Sequence, residues 1–172
     1  MAFIKEVRGF TPTYGEECWF AHNSTIVGEV KIGNSCTVWF GAVVRGDVNF
    51  ISIGDNTNIQ DNATIHGTFE KAGTTIGNNV SVGHNAVIHG CTIEDHVLIG
   101  IGAIVLDHAV IKSGSIIGAG AVVLSGTIVG ENSVYGGIPA KKLKEMDDIN
   151  KEMLRRIADN YKMYARWYHS KD

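Results

Sequence analysis

The sequence predicts an all-β solenoid of six-residue repeats followed by one C-terminal α-helix. Three observations carry this. Aliphatic residues recur every six positions from Ile32 to Val129. Glycine is abundant and proline nearly absent, 21 residues against 2. After Ala140 the six-residue spacing gives way to a helical one.

The repeat runs Ile32, Val38, Val44; Ile53, Ile59, Ile65; Ile76, Val82, Ile88; then Ile93, Ile99, Val105, Ile111, Ile117, Val123 and Val129. A small residue often follows the aliphatic one, as at Gly33, Gly54, Gly77, Gly83, Gly100, Gly118 and Gly130. A period of six suits neither a helix of about 3.6 residues per turn nor strands broken by a turn every 8 to 12 residues. It suits short strands joined by tight turns, three to a coil, with successive coils hydrogen-bonded at about 4.8 Å. The register breaks three times: three residues are added between Val44 and Ile53, five between Ile65 and Ile76, and one is lost between Ile88 and Ile93. Insertions are expected to leave a solenoid as corner loops, where binding residues gather. Beyond the repeat, Met146, Ile149, Met153, Leu154, Ile157, Tyr161 and Tyr164 share a helical spacing, and Asp147 and Asp148 complement a helix N-terminus. A helix is expected over 145–169, dividing the chain into a solenoid domain, 1–143, and a C-terminal helix segment, 144–172, packed along it.

Composition narrows the function. With 44% hydrophobic and 19% charged residues the chain is globular, and its formal charge of −3 gives no reason to expect a nucleic acid or an anionic membrane. No apolar run approaches the roughly 20 residues of a membrane span. Met1 to Gly9 lack the apolar stretch of a signal peptide. Cys18, Cys36 and Cys91 are odd in number and scattered, which points to unpaired thiols in a reducing compartment. A cytoplasmic protein is expected.

Counting hexads by threes assigns each residue to a side of the prism. Ile53, Ile76 and Ile93 lie on the first side, Ile59, Val82 and Ile99 on the second, and Val44, Ile65, Ile88 and Val105 on the third. His66 and His89 each follow the aliphatic residue of the third side, so they stack one coil apart and can converge on one ion. Arg45 holds the same column one coil earlier. His84 lies two positions after Val82, on the second side, with Asp61 in its column one coil earlier. Within one chain it cannot easily join the other two. A neighbouring copy supplies it if sides two and three of different subunits face each other about a three-fold axis, a heterologous contact that closes as a ring. Asp61 would then face Arg45 of the neighbour.

Three neutral imidazoles form a ligand set that leaves a position open for water on zinc. An ion so held lowers the pKa of that water from about 15.7 to about 7. Cobalt and ferrous iron accept the same ligands. A lone histidine in a solenoid is more often a solvated corner residue, and this is the expectation for His22, His96, His108 and His169.

Over residues 10 to 140 the repeat resembles the hexapeptide-repeat left-handed β-helix proteins, and the resemblance supplies the left hand. The motifs Val44-Arg45-Gly46-Asp47, Ile53-Gly54, Asn58-Ile59-Gln60-Asp61, His66, Val82-Gly83-His84 and His89-Gly90 are similar, in order, to those of the γ-class carbonic anhydrase family. The resemblance implies a homotrimer with zinc (or cobalt or iron) at each subunit interface. It also implies reversible hydration of carbon dioxide to bicarbonate by a metal-bound hydroxide. It makes His66, His84 and His89 the ligands, gives Arg45, Asp47 and Asp61 roles in organising the interface and the site, and makes Gln60 a hydrogen-bond partner of the metal-bound water. Tyr161 is the best match for the family's site tyrosine, with Tyr164 second. Two features depart from the best-studied form: Val48 stands where that form has a glutamate, and the short Gly67–Thr75 segment, with Glu70 alone acidic, replaces a long acidic loop carrying a proton shuttle. Three other readings compete: an acyl-CoA acyltransferase, since Gly137-Ile138-Pro139-Ala140-Lys141 also suits that class; a metal-dependent thioesterase; and a metal-binding assembly protein of low activity.

Overall fold

The structure, a computed structural model, describes residues 1–168; His169 lies outside the described residues. It is a left-handed parallel β-helix of about 7 turns. Every aliphatic position of the repeat from Ile32 to Val129 is at most 3% exposed. They form one continuous core with Ala42, Ala63, Ala86, Ala103, Ala109 and Ala121. Burial of such a side chain contributes about 1.5–3 kcal/mol, so a repeat that aims one inward on every side of every coil stabilises the whole stack.

The sides pair as the hexad count predicts. Ile59, Val82 and Ile99 lie in register on the second side, Ile53, Ile76 and Ile93 on the first, and Val44, Ile65, Ile88 and Val105 on the third. The second side is an eight-stranded sheet of its own; the first and third join in a twelve-stranded sheet through two long strands, Thr25–Ile32 and Val43–Ile53. Corners are turned by residues in the left-handed region, among them Asn56, Asn62, Asn79, Asn85 and Asn132, the residue type that tolerates it best after glycine.

Two expectations need correction. The three residues added before Ile53 do not leave as a corner loop. They stay in the bent strand Val43–Ile53 as a bulge opposite Glu29, where the pairing with Thr25–Ile32 shifts between Gly28 and Val30. The bulge leaves residues 47–50 without partners in the ladder, bends the strand and re-aims the side chains of the bend. The helix spans Asp148–Arg166, capped by the Asp147 carboxylate on the Asn150 N–H. Before it, Lys141–Glu145 forms an antiparallel strand on Ser133–Gly136 that the repeat does not foreshadow. The helix packs on the second side, against Thr37–Val38, Asn58–Ile59 and Ser81–Val82. It buries Leu154, Ala158 and Ala165, whereas Ile149, counted in its apolar stripe, is 81% exposed. Among the described residues no helix is long and apolar enough to cross a membrane.

Candidate metal centre

His66 ends the strand Thr64–His66 and His89 ends Val87–His89, and the two are direct partners in the parallel ladder. Their rings approach with His66 Nδ1 and His89 Nε2 3.2 Å apart. What each ring does with its other nitrogen fixes what these two can be. His66 Nε2 lies 3.1 Å from Asp47 Oδ1, and His89 Nδ1 lies 2.6 Å from Asp107 Oδ1. An ionised carboxylate only accepts, so the ring nitrogen facing it carries the proton. Both carboxyls are held below their ordinary pKa. Burial opposes this in each, but hydrogen bonds from Arg45 and His66 outweigh it at Asp47, and from Thr68 and His89 at Asp107. Burial, helped by the charge of Arg45, outweighs the Asp47 hydrogen bond at His66 and lowers its pKa. The ring is therefore neutral at physiological pH.

The nitrogen that His66 turns to its partner is therefore a lone pair, and with His89 as the neutral Nδ1–H tautomer that Asp107 favours, the nitrogen facing it is one as well. Two lone pairs at this distance repel, and a cation between them removes the conflict. Zinc–imidazole bonds of 2.0–2.1 Å set two nitrogens of a tetrahedral ligand set about 3.3 Å apart, close to the separation observed. The pair therefore fits a metal ion.

His84 stands apart from them on the second side. Its Nδ1 lies 2.7 Å from Asp61 Oδ2, the stacking that their common column dictates. Its Nε2 is 3.2 Å from the Tyr161 hydroxyl. Burial, then the negative charge of Asp61, pushes the Tyr161 phenol up to about 12, so Tyr161 donates here. Tyr161 thus reaches the site residues; Tyr164 packs on its ring, 5.5 Å between centroids. Gln60, only 5% exposed, accepts from the His84 N–H through Oε1 and donates to Asn58 Oδ1, and Asn58 donates to Ser81 Oγ. Arg45 Nη1 bonds Asp47 Oδ2 at 2.7 Å. Within one chain, then, Arg45 serves Asp47 and Asp61 serves His84. Among the described residues, no three His, Cys, Asp or Glu side chains of a single chain gather into a complete metal-binding group. His22, His96 and His108 are exposed, the last two at left-handed corners.

Sequence reasoning missed Asp107 and its partner Thr68. The signal lies in the columns: Asp107 stands two positions after Val105, directly above Gly90 two positions after Ile88. A glycine under an aspartate leaves the space into which that carboxylate leans.

Comparison with known proteins agrees with this architecture. Residues 90–125 match the bacterial transferase hexapeptide (six repeats) model. Over 160 residues the chain is 39% identical to gamma carbonic anhydrase 1, mitochondrial, of Arabidopsis thaliana, covering 90% of this chain and 58% of that protein. It therefore spans little more than half the length of that relative. It is 36% identical over 165 residues to a carbonic anhydrase of Geobacillus kaustophilus, covering 96% of this chain and 90% of that one. The crystal structure of a hexapeptide transferase family protein from Anaplasma phagocytophilum superposes with a TM-score of 0.92 at 36% identity, covering 96% and 98% of the two chains. With the ordered motifs and a relative matched over nearly its full length, the chain belongs to the γ carbonic anhydrase family.

Proposed function

We propose that the chain is a metal-dependent carbonic anhydrase that interconverts carbon dioxide and bicarbonate at sites shared between the subunits of a homotrimer. One observation carries this reading: each of the three histidines has one ring nitrogen against a carboxylate, which favours the proton there and leaves the other nitrogen for an ion. That is the arrangement of metal-ligating imidazoles, whose outer partners fix tautomer and direction. His66 and His89 on the third side of one subunit and His84 on the second side of the next would hold zinc, cobalt or ferrous iron. Such an ion supplies the Lewis acid that makes water a nucleophile near neutral pH.

The chain's own residues do the rest. Asp47, oriented by Arg45, holds the His66 ring. Gln60 anchors the His84 backbone and keeps a second amide hydrogen for an oxygen ligand at the site. Arg45 of one subunit and Asp61 of the next form the charge pair across the interface. Tyr161 occupies the His84 lone pair in a single chain, so binding a metal through that nitrogen requires the phenol to move and frees its hydroxyl for the site. A cleft of about 220 Å³ adjoins Asp47, with Arg8, Asn49 and Glu70 on its walls. Glu70, the one acidic residue of the Gly67–Thr75 segment, would take up the proton that hydration releases.

The test is a stopped-flow carbon dioxide hydration assay on zinc-, cobalt- and iron-loaded protein, run beside acyl-thioester hydrolysis and acyl-transfer assays. About one metal per chain and hydration above the buffer rate are expected. Metal-loaded protein that leaves carbon dioxide untouched but cleaves or transfers an acyl thioester would move the assignment to the acyl-transfer class. Substituting His84→Ala is expected to abolish metal binding at every site while the trimer still forms. Retention of wild-type affinity would remove His84 from the ligand set.

A further inference from the structure

Asp107 belongs to none of the motifs that mark the family, yet of the three carboxylates it lies closest to a histidine, 2.6 Å from His89 Nδ1. Three features single it out. Its second oxygen accepts from Thr68 Oγ1, so both sides of the carboxylate are engaged. The backbone of Thr68 is itself anchored, its carbonyl accepting from Asn49 Nδ2 at 3.1 Å. And the residue beneath Asp107 is Gly90, at φ +58, where an added Cβ would stand 2.5 Å from Asp107 Oδ1. Any side chain there would push the carboxylate off the ring, so the glycine makes room for this contact.

We propose that Asp107 is a positioning residue: it fixes His89 as the Nδ1–H tautomer and aims the Nε2 lone pair at the point it shares with His66, with Thr68 holding the carboxylate in place. The consequence for metal binding rests on the metal reading above; the tautomer does not. A carboxylate on the distal nitrogen makes an imidazole a stronger donor, and loss of such a partner typically costs 10- to 100-fold in metal affinity. Because Thr68 lies in the Gly67–Thr75 segment, the same contact couples that segment to the histidine pair. The plain alternative is that Asp107 only caps a corner, in which case its removal would change stability and leave the ring untouched.

Two measurements on the full-length protein separate these. The first is a ¹⁵N-histidine NMR spectrum without metal. The wild type is expected to show His89 protonated at Nδ1 and bare at Nε2, and Asp107→Asn to show a mixture of tautomers. The second is cobalt affinity by chelator competition. Asp107→Asn is expected to lose about 10- to 100-fold, Asp107→Glu to recover part of this, and Thr68→Val to lose less than about tenfold. Thr68→Val keeps the carboxylate, so it remains informative if the asparagine variant folds poorly. A wild-type tautomer in Asp107→Asn with cobalt affinity within about twofold of wild type would overturn the proposal. Wild-type protein that shows the Asp107-dependent tautomer and binds no cobalt would overturn the metal reading and leave the positioning role standing.

Discussion

An imidazole offers a metal one lone pair, and the group on its second nitrogen decides where that pair points. Asp47, Asp61 and Asp107 make this decision for His66, His84 and His89. The same logic of columns acts on the thiols. Cys18 and Cys36 precede paired strands, Trp19–Phe20 and Thr37–Val38, so they stack one coil apart. Each thiol donates to a corner carbonyl, Cys18 to Gly33 at 3.1 Å and Cys36 to Gly54 at 3.0 Å. The neighbouring Cys36 thiol lowers the Cys18 pKa, against the effect of burial, whereas burial pushes Cys91 up to about 12. Thiolates, not thiols, are alkylated. Cys18 is therefore expected to react first with iodoacetamide, its rate rising below the ordinary thiol pKa of about 8.5, while Cys91 stays unmodified in the folded protein. Peptide mass spectrometry across about pH 5 to 9 reads this; a midpoint at the ordinary thiol value of about 8.5 would show that the Cys36 bond is too weak to matter. The stacked pair was readable in the sequence because His66 and His89 share a hexad position. Asp107 was missed because it reaches His89 by leaning back one coil over a glycine, a signal that shows only when the columns are searched for a small residue beneath a carboxylate.

At the scale of the element, the bend in Val43–Ile53 carries Arg45 and Asp47 to the site. Its geometry depends on Gly28, at φ +78, where an added Cβ would lie 2.3 Å from the Gly46 carbonyl oxygen. Gly28→Ala meets both a strained dihedral and a backbone clash, so it is expected to destabilise the fold by about 1–3 kcal/mol or more. The urea midpoint should fall accordingly, and unchanged stability would mean that the bend relaxes freely. Counting residues located this bulge but not its form: three extra residues can loop out or stay in the ladder, and only the partner strand, with its glycine opposite, decides. The helix teaches a related point. Its period was legible, but its buried face was not, because Ala158 and Ala165, 3% and 2% exposed, carry much of the contact while Ile149 faces outward. An aliphatic count overlooks alanine where elements approach closely.

For the whole molecule, the six-residue period determined the sides and their order, and the hand came from family resemblance because a period is the same read left or right. The histidines sit on two sides of the prism, two on the third and one on the second. If each complete site takes two from one subunit and one from the next, the defect in one variant can be covered by the intact residue of another. His66→Ala chains retain a working His84, and His84→Ala chains retain the His66–His89 pair. Neither variant alone should bind metal. Unfolded together in equal amounts and refolded, they form mixed rings in which a site is whole only when an intact pair meets an intact His84 at the same interface. Random assembly around a closed three-fold ring makes that true of about a quarter of the sites. Metal content and carbon dioxide hydration should therefore return to about a quarter of the wild-type level per chain. No recovery in rings shown to be mixed by native mass spectrometry would confine all three ligands to one subunit. Recovery can come only from sharing, since no chain in the mixture carries all three histidines.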